Sequence, residues 1–101
     1  MSNQPTRIEQ LWSEISGKTA TRLACMEARQ QWRMIAISID ELLNGVQRDT
    51  LASEDVEIMR ELRFLANKKA AMWNRRIADI DVELAELQMR LSTIDKDIPW
   101  D

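Results

Sequence analysis

From Trp73 to Ile98 the apolar residues fall at Trp73, Ile77, Ile80, Leu84, Leu87, Leu91, Ile94 and Ile98, alternately four and three apart. A spacing that averages 3.5 over more than three repeats marks a helix whose stripe must lie against another helix, because no helix buries its own seam. A second stripe runs through Cys25, Ala28, Trp32, Ile35, Ile39, Leu42 and Val46, and Met34, Ile37 and Leu43 widen it. Upstream, Ile8, Leu11, Trp12 and Ile15 recur at helical intervals. Between residues 58 and 73 the face is broad, with Ile58, Leu62, Leu65 and Met72 on one side and Met59, Ala66, Ala70 and Trp73 beside them.

The punctuation of the chain divides these stripes. Asn44-Gly45 predicts a helix stop, with Gly45 in the left-handed position after the helix, and Ser53 followed by Glu54, Asp55 and Glu57 predicts an N-cap and an acidic first turn. Pro5 suits a first helical turn. The expected plan is a tail over 1–4, a first helix over 5–44, a loop over 45–53, a long helix over 54–97 and a tail over 98–101. At 1.5 Å per residue the two helices measure ~60 and ~66 Å. The fold class is all-α: a long antiparallel hairpin, coiled-coil-like, in which facing residues have numbers summing to about 98. That register sets Trp32 near Ala66, Met26 near Met72 and Trp12 near Leu87. Gly17 leaves an alternative open, a three-helix bundle with the first helix broken at 16–19.

Composition fits this plan. The chain has 101 residues, enough for a single domain, with 45% hydrophobic and 31% charged residues, two Gly, two Pro, no Tyr and one Phe, which disfavours a sheet. An elongated chain of this size buries little of itself, so a homodimer is expected to cover the residual apolar faces. Cys25 is the single cysteine; it excludes an internal disulfide and is expected to act as a small core residue in a reducing compartment. The polar start of the chain and the lack of a long apolar run lead to an expected soluble, cytoplasmic protein without a membrane segment.

Charge is segregated along the chain although the net charge is only −3. Residues 60–76 carry Arg60, Arg63, Lys68, Lys69, Arg75 and Arg76 against Glu61, whereas 77–101 and 40–57 are each strongly acidic. In a hairpin the basic stretch lies beside Arg22, Arg29 and Arg33, making a positive waist between negative ends. Those six basic residues and Trp100, in the tail after Pro99, are the expected partner-binding positions, since Trp and Arg are over-represented at binding hot spots. Trp12, Trp32 and Trp73 lie on the stripes and are expected in the core.

Candidate chemistry is sparse. There is no His, which removes the commonest general base and metal ligand. Asp79 and Glu83 are one turn apart on an outer face with no opposing acid. Gly17-Lys18-Thr19 matches the end of a phosphate-binding loop, but Trp12 stands where its first glycine belongs and no strand precedes it. Asn67-Lys68-Lys69-Ala70-Ala71-Met72-Trp73-Asn74-Arg75-Arg76 resembles the basic-region signature N-x-x-A-A-x-x-[SC]-R of bZIP proteins, which read DNA from the major groove. It departs from that pattern at Asn74, in the acidic flank at Glu57 and Glu61, in the bulk of Trp73, and in zipper phase, which puts Ala85 where the first Leu belongs. It is therefore taken as a chance match. No catalytic, cofactor-binding or metal-binding residues are expected. The expected function is a non-catalytic protein–protein interaction module (an adaptor, assembly factor or inhibitor) presenting a rigid helical surface. The alternative is a small phage- or plasmid-type protein that inhibits or regulates nucleic-acid machinery, its basic waist touching a protein or phosphates.

Overall fold

A computed structural model describes residues 6–45 and 48–97. Two helices account for nearly all of them: α1 (Arg7–Asn44) and α2 (Ser53–Asp97), joined through a short 3-10 turn at Arg48–Thr50. They lie side by side in a body of 75 × 28 × 17 Å, whose width is that of two helices and whose length is set by α2. Among the described residues there is no strand, and no helix is long and apolar enough to cross a membrane. The tails, with Pro5 and Trp100, fall outside the described residues.

Local chemistry sets the helix ends. Thr6 caps α1: its hydroxyl accepts from the Glu9 N–H at 3.2 Å, and its own N–H donates to the Glu9 carboxylate at 3.4 Å, a reciprocal capping box. Asn44 ends α1 as expected, but Gly45 is extended (φ −81°, ψ 171°) rather than left-handed. The reason for a glycine there is space: a Cβ would stand 2.6 Å from the Glu41 carbonyl oxygen. Ser53 is the first residue of α2 rather than its cap, and the Ala52 carbonyl accepts the first bond, from Val56 N–H at 3.1 Å.

α1 runs through Gly17 without a break, so the three-helix alternative is not adopted. The hydroxyls of Thr19 and Thr21 fold back and donate to the carbonyls of Ile15 and Gly17 (2.7 and 3.0 Å), one turn earlier in the helix.

From Trp73 to Ile94 the buried seam of α2 is the expected one: Ile77, Ile80, Leu87 and Leu91 are covered, Trp73, Leu84 and Ile94 are half-buried, and Ile98 lies outside the described residues. It continues upstream through Ala66 and half-buried Ala70, Arg63, Met59 and Val56. The row Ile58, Leu62, Leu65 and Met72 is left outside, each 42–56% exposed.

On α1 the seam departs from the expected stripe. The positions facing α2 are Leu11, Ile15, Lys18, Arg22, Cys25, Arg29, Trp32, Ala36, Ile39 and Leu43, all buried or half-buried and spaced four and three throughout. Cys25, Trp32 and Ile39 belong to it as expected. Ile35 and Leu42 do not, and they are 43% and 48% exposed. Three of the seam positions are cationic, and their long aliphatic stems supply the apolar cover while the charged heads reach sideways.

Register differs from the expectation by one helical turn. Cross-helix pairs Lys18–Glu83, Arg22–Asp81, Arg29–Asn74 and Asp40–Arg63 have numbers summing to 101–103 rather than 98. Leu87 accordingly packs with Leu11, Ile15 and Leu91, and Trp12 is turned out to 55% exposure. Met26 packs with Trp73 against Cys25, Ile77 and Ile80, whereas Met72 is exposed, and Ala66 comes level with buried Ala36 rather than with Trp32. The cause is an asymmetric turn: α2 begins about one turn beyond the end of α1, so the midpoint of the loop is not the fold point.

The two glycines therefore make opposite predictions. Nothing lies within 4 Å of a Cβ built on Gly17, so Gly17→Ala should stabilise the hairpin by about 1 kcal/mol. For a chain of this size that raises the melting temperature by ~4–8 °C, read by circular dichroism. Gly45→Ala should instead destabilise it, by roughly 1 kcal/mol or more, because backbone must shift.

Candidate interaction surface

A hairpin of two helices has two flanks, one on each side of the seam, and two outer faces. Bonds across the seam identify the flanks. On the first, Arg22 Nε donates to Asp81 at 2.6 Å, Arg29 to the Asn74 side-chain oxygen at 2.6 Å, and Arg63 to Asp40 at 2.8 Å. On the second, Lys18 Nζ donates to Glu83 at 2.6 Å. All three ion pairs are more than a third exposed, so solvent screening leaves each a small contribution to stability. Their larger effect is on register, since a slip of one turn would strand four seam cations and their partners.

The six basic residues expected to bind a partner share one waist but not one face. Arg63 belongs to the seam and is tied to Asp40. Lys69 and Arg76 repeat seven apart from Glu83 and so lie in its row, on the second flank. With Met72 and the edge of Trp73 they line a groove of about 180 Å³, smaller than a typical small-molecule pocket and closer to the size of a side chain. Arg60, Lys68 and Arg75 are exposed on the outer side of α2, towards the first flank. Trp100 lies outside the described residues. Arg22 and Arg29 are engaged within the hairpin, and Arg33 is exposed at the level of Lys69.

The outer stripe has a centre that sequence reasoning missed. Phe64, the only phenylalanine, is 71% exposed, and it stands one turn from both Arg60 and Lys68 with Ala71 and Arg75 continuing the row. A lone aromatic carries no periodic signal, and only the exclusion of this row from the seam shows that it is turned outward. Glu61 and Asn67 are also one turn away, so the ring stands bare among mixed charges with a cation on each side along its row.

Among the described residues no three Cys, Asp or Glu side chains come together as a metal site, and Cys25 is buried. Asp79 is exposed on the outer surface, while Glu83 is engaged by Lys18. A shallow cleft near the helix ends, about 450 Å³, is lined by Arg7, Glu86, Met89, Arg90, Thr93 and Ile94, and another of similar size at the tip by Asp49, Leu51, Ser53, Val56, Glu57 and Arg60. Both are open surfaces on which acidic and basic side chains are mixed. No protein-family model matches the chain, and no curated protein or solved structure matches it either.

One titration follows from the second flank. The hydrogen bond from Lys18 and its charge hold the Glu83 carboxyl below its ordinary value of 4.5; partial desolvation opposes this, and the nearby Arg76 charge adds to it. A carboxyl whose folded value is depressed stabilises the fold above its unfolded value and loses that contribution as pH falls through the folded one. Glu83→Gln should therefore be less stable than the parent chain near neutrality and should converge with it in acid. Urea denaturation over a pH series from neutral to below 4 checks this; a constant gap at all pH values would contradict it.

Proposed function

We propose that this chain is a non-catalytic interaction module: a rigid rod, held in register by its seam cations, that docks a larger protein through the outer stripe Arg60–Phe64–Lys68–Arg75. The observation that carries the reading is Phe64, exposed between Arg60 and Lys68 on an α2 face that the hairpin itself does not use. An aromatic held on a helix more than ten turns long loses little side-chain freedom on binding, and cations on either side favour a partner with an apolar pocket and an acidic rim. An adaptor, an assembly factor and an inhibitor all fit this description. We infer a soluble, cytoplasmic setting from the composition and the free, buried Cys25.

A second reading places the same stripe on nucleic-acid machinery or on phosphates, since base stacking on an aromatic between cations is a known mode of binding single strands. Salt separates the two, because binding to phosphates weakens steeply with ionic strength.

Lys68→Glu with Arg75→Glu, and separately Phe64→Ala, change only exposed positions of α2. Both variants should keep parental helicity and melting temperature within a few degrees. In a pull-down from the native host, each should lose the proteins retained by the parent chain; retention by both would remove the stripe as the interface. A duplex or single strand shifted at low salt, and lost in the charge-reversed variant, would favour the second reading.

A further inference from the structure

The second flank carries an apolar surface that the hairpin leaves uncovered. Its α2 row reads Asp55, Leu62, Lys69, Arg76, seven apart and in line with Glu83, with Ile58, Leu65 and Met72 immediately outside it. Across the seam the matching α1 rows are Leu42, Ser38, Ile35, Gln31, Ala28, Ala24 and Thr21, in which no residue is charged although 31% of the chain is. Ile35, Leu42, Ile58, Leu62, Leu65 and Met72 are each 42–56% exposed here, so the patch is contiguous over both helices. Contiguous exposure on this scale marks an association surface rather than the scattered apolar residues of an ordinary exterior.

What covers it is indicated by its symmetry. Leu65 sits midway between Ile58 and Met72, and midway between Asp55 and Arg76 to within one residue. The patch therefore has Asp55 at one end, Lys69 and Arg76 towards the other, and Ile58, Leu62, Leu65 and Met72 between them, arranged about a centre. We infer that this flank binds a second copy of the chain, antiparallel, with a two-fold axis passing near Leu65. That operation sets Arg76 of each copy against Asp55 of the other. It also brings Ile58 to the groove between Met72 and Trp73, whose volume of about 180 Å³ accepts a side chain. A two-fold contact needs a self-complementary surface, and opposite charges at equal distances from an apolar centre supply one.

The area is sufficient. From Asp55 to Arg76 is ~32 Å along the helix, and two packed helices are ~20 Å wide, which gives a footprint on the order of 600 Å² before surface relief is counted, against ~800 Å² per partner in a standard interface. Overlap of the two tips also leaves the outer Phe64 stripe of each copy free. The inference gives the self-association expected from the sequence a face and a symmetry, and it does not depend on the docking stripe, which lies on the other side of α2.

Sedimentation equilibrium on the full chain tests it. The parent chain should dimerise in the micromolar range, and Leu65→Glu, which sets like charges together at the axis, should give a helical monomer. Arg76→Asp alone and Asp55→Arg alone should each raise the dimer dissociation constant roughly tenfold or more through like-charge contacts, and the double exchange should recover most of that loss. In addition, Leu65→Cys should cross-link to itself under mild oxidation, whereas Leu23→Cys, on the opposite outer face of α1, should not. A parent chain that stays monomeric throughout the micromolar range, or a dimer indifferent to Leu65→Glu and not rescued by the charge exchange, would overturn the inference.

Discussion

Two helices have one interface, and that limit governs the rest of this molecule. In a hairpin each helix can bury two of its seven heptad rows, so a chain that is 45% hydrophobic cannot place all its apolar side chains inside. Among the described residues thirteen large apolar side chains consequently remain exposed, from Leu65 at 42% to Phe64 and Met89 at 71%. In a globular chain such exposure would be exceptional. Here it follows from topology, and the informative question is which residues are outside and whether they form continuous surfaces.

The seam makes the contrast sharper, because it admits cations while those apolar residues stay out. Lys18, Arg22, Arg29 and Arg63 hold seam positions that Ile or Leu could fill with a gain in burial. Long stems cover the core, and the charged ends reach Glu83, Asp81, Asn74 and Asp40 at 2.6–2.8 Å. A uniformly aliphatic seam tolerates a slip of one turn at little cost, since Leu meets Leu in either register. Four cations with fixed partners do not, so stability is exchanged for a single alignment, the role that polar seam residues play in coiled coils. In the tip half the seam is held by Ala36 and Ala66, both nearly inaccessible, while the larger Ile35, Leu42, Leu62 and Leu65 stay outside it.

These features explain what was legible in the sequence. The two long helices, the stop at Asn44 and the seam from Trp73 to Ile94 were readable because one row is apolar and its neighbours are polar. The α1 seam was half readable: Cys25, Trp32 and Ile39 were recognisable, but Ile35 and Leu42 are more hydrophobic than Arg29 and Ala36, and hydrophobicity alone selects the wrong companion row. Register was out of reach by one turn because it depends on how the residues between the helices carry the chain past the end of α1, and no spacing in either helix encodes that. The waist was visible as a charge run. Its division among seam, flank and outer face was not, since a run of basic residues along a helix is distributed around it every 3.6 residues. Phe64 carried no signal until the seam was fixed.

Once the seam is fixed, the remaining rows of α2 divide the surface into separate territories. Rows on the outer side carry Arg60, Phe64, Lys68 and Arg75; rows on the second flank carry Asp55, Leu62, Lys69 and Arg76 with Ile58, Leu65 and Met72 beside them. The basic waist, which along the sequence is one feature, is therefore two. Lys69 and Arg76 border an apolar surface whose opposite end is acidic, whereas Lys68 stands one turn from Phe64 and Arg75 continues that row towards Asp79. A partner that reads the second pair need not touch the first. A rod of this kind can thus hold two associations at once without competition between them, provided each row keeps its orientation. That orientation is what the paired cations of the seam secure.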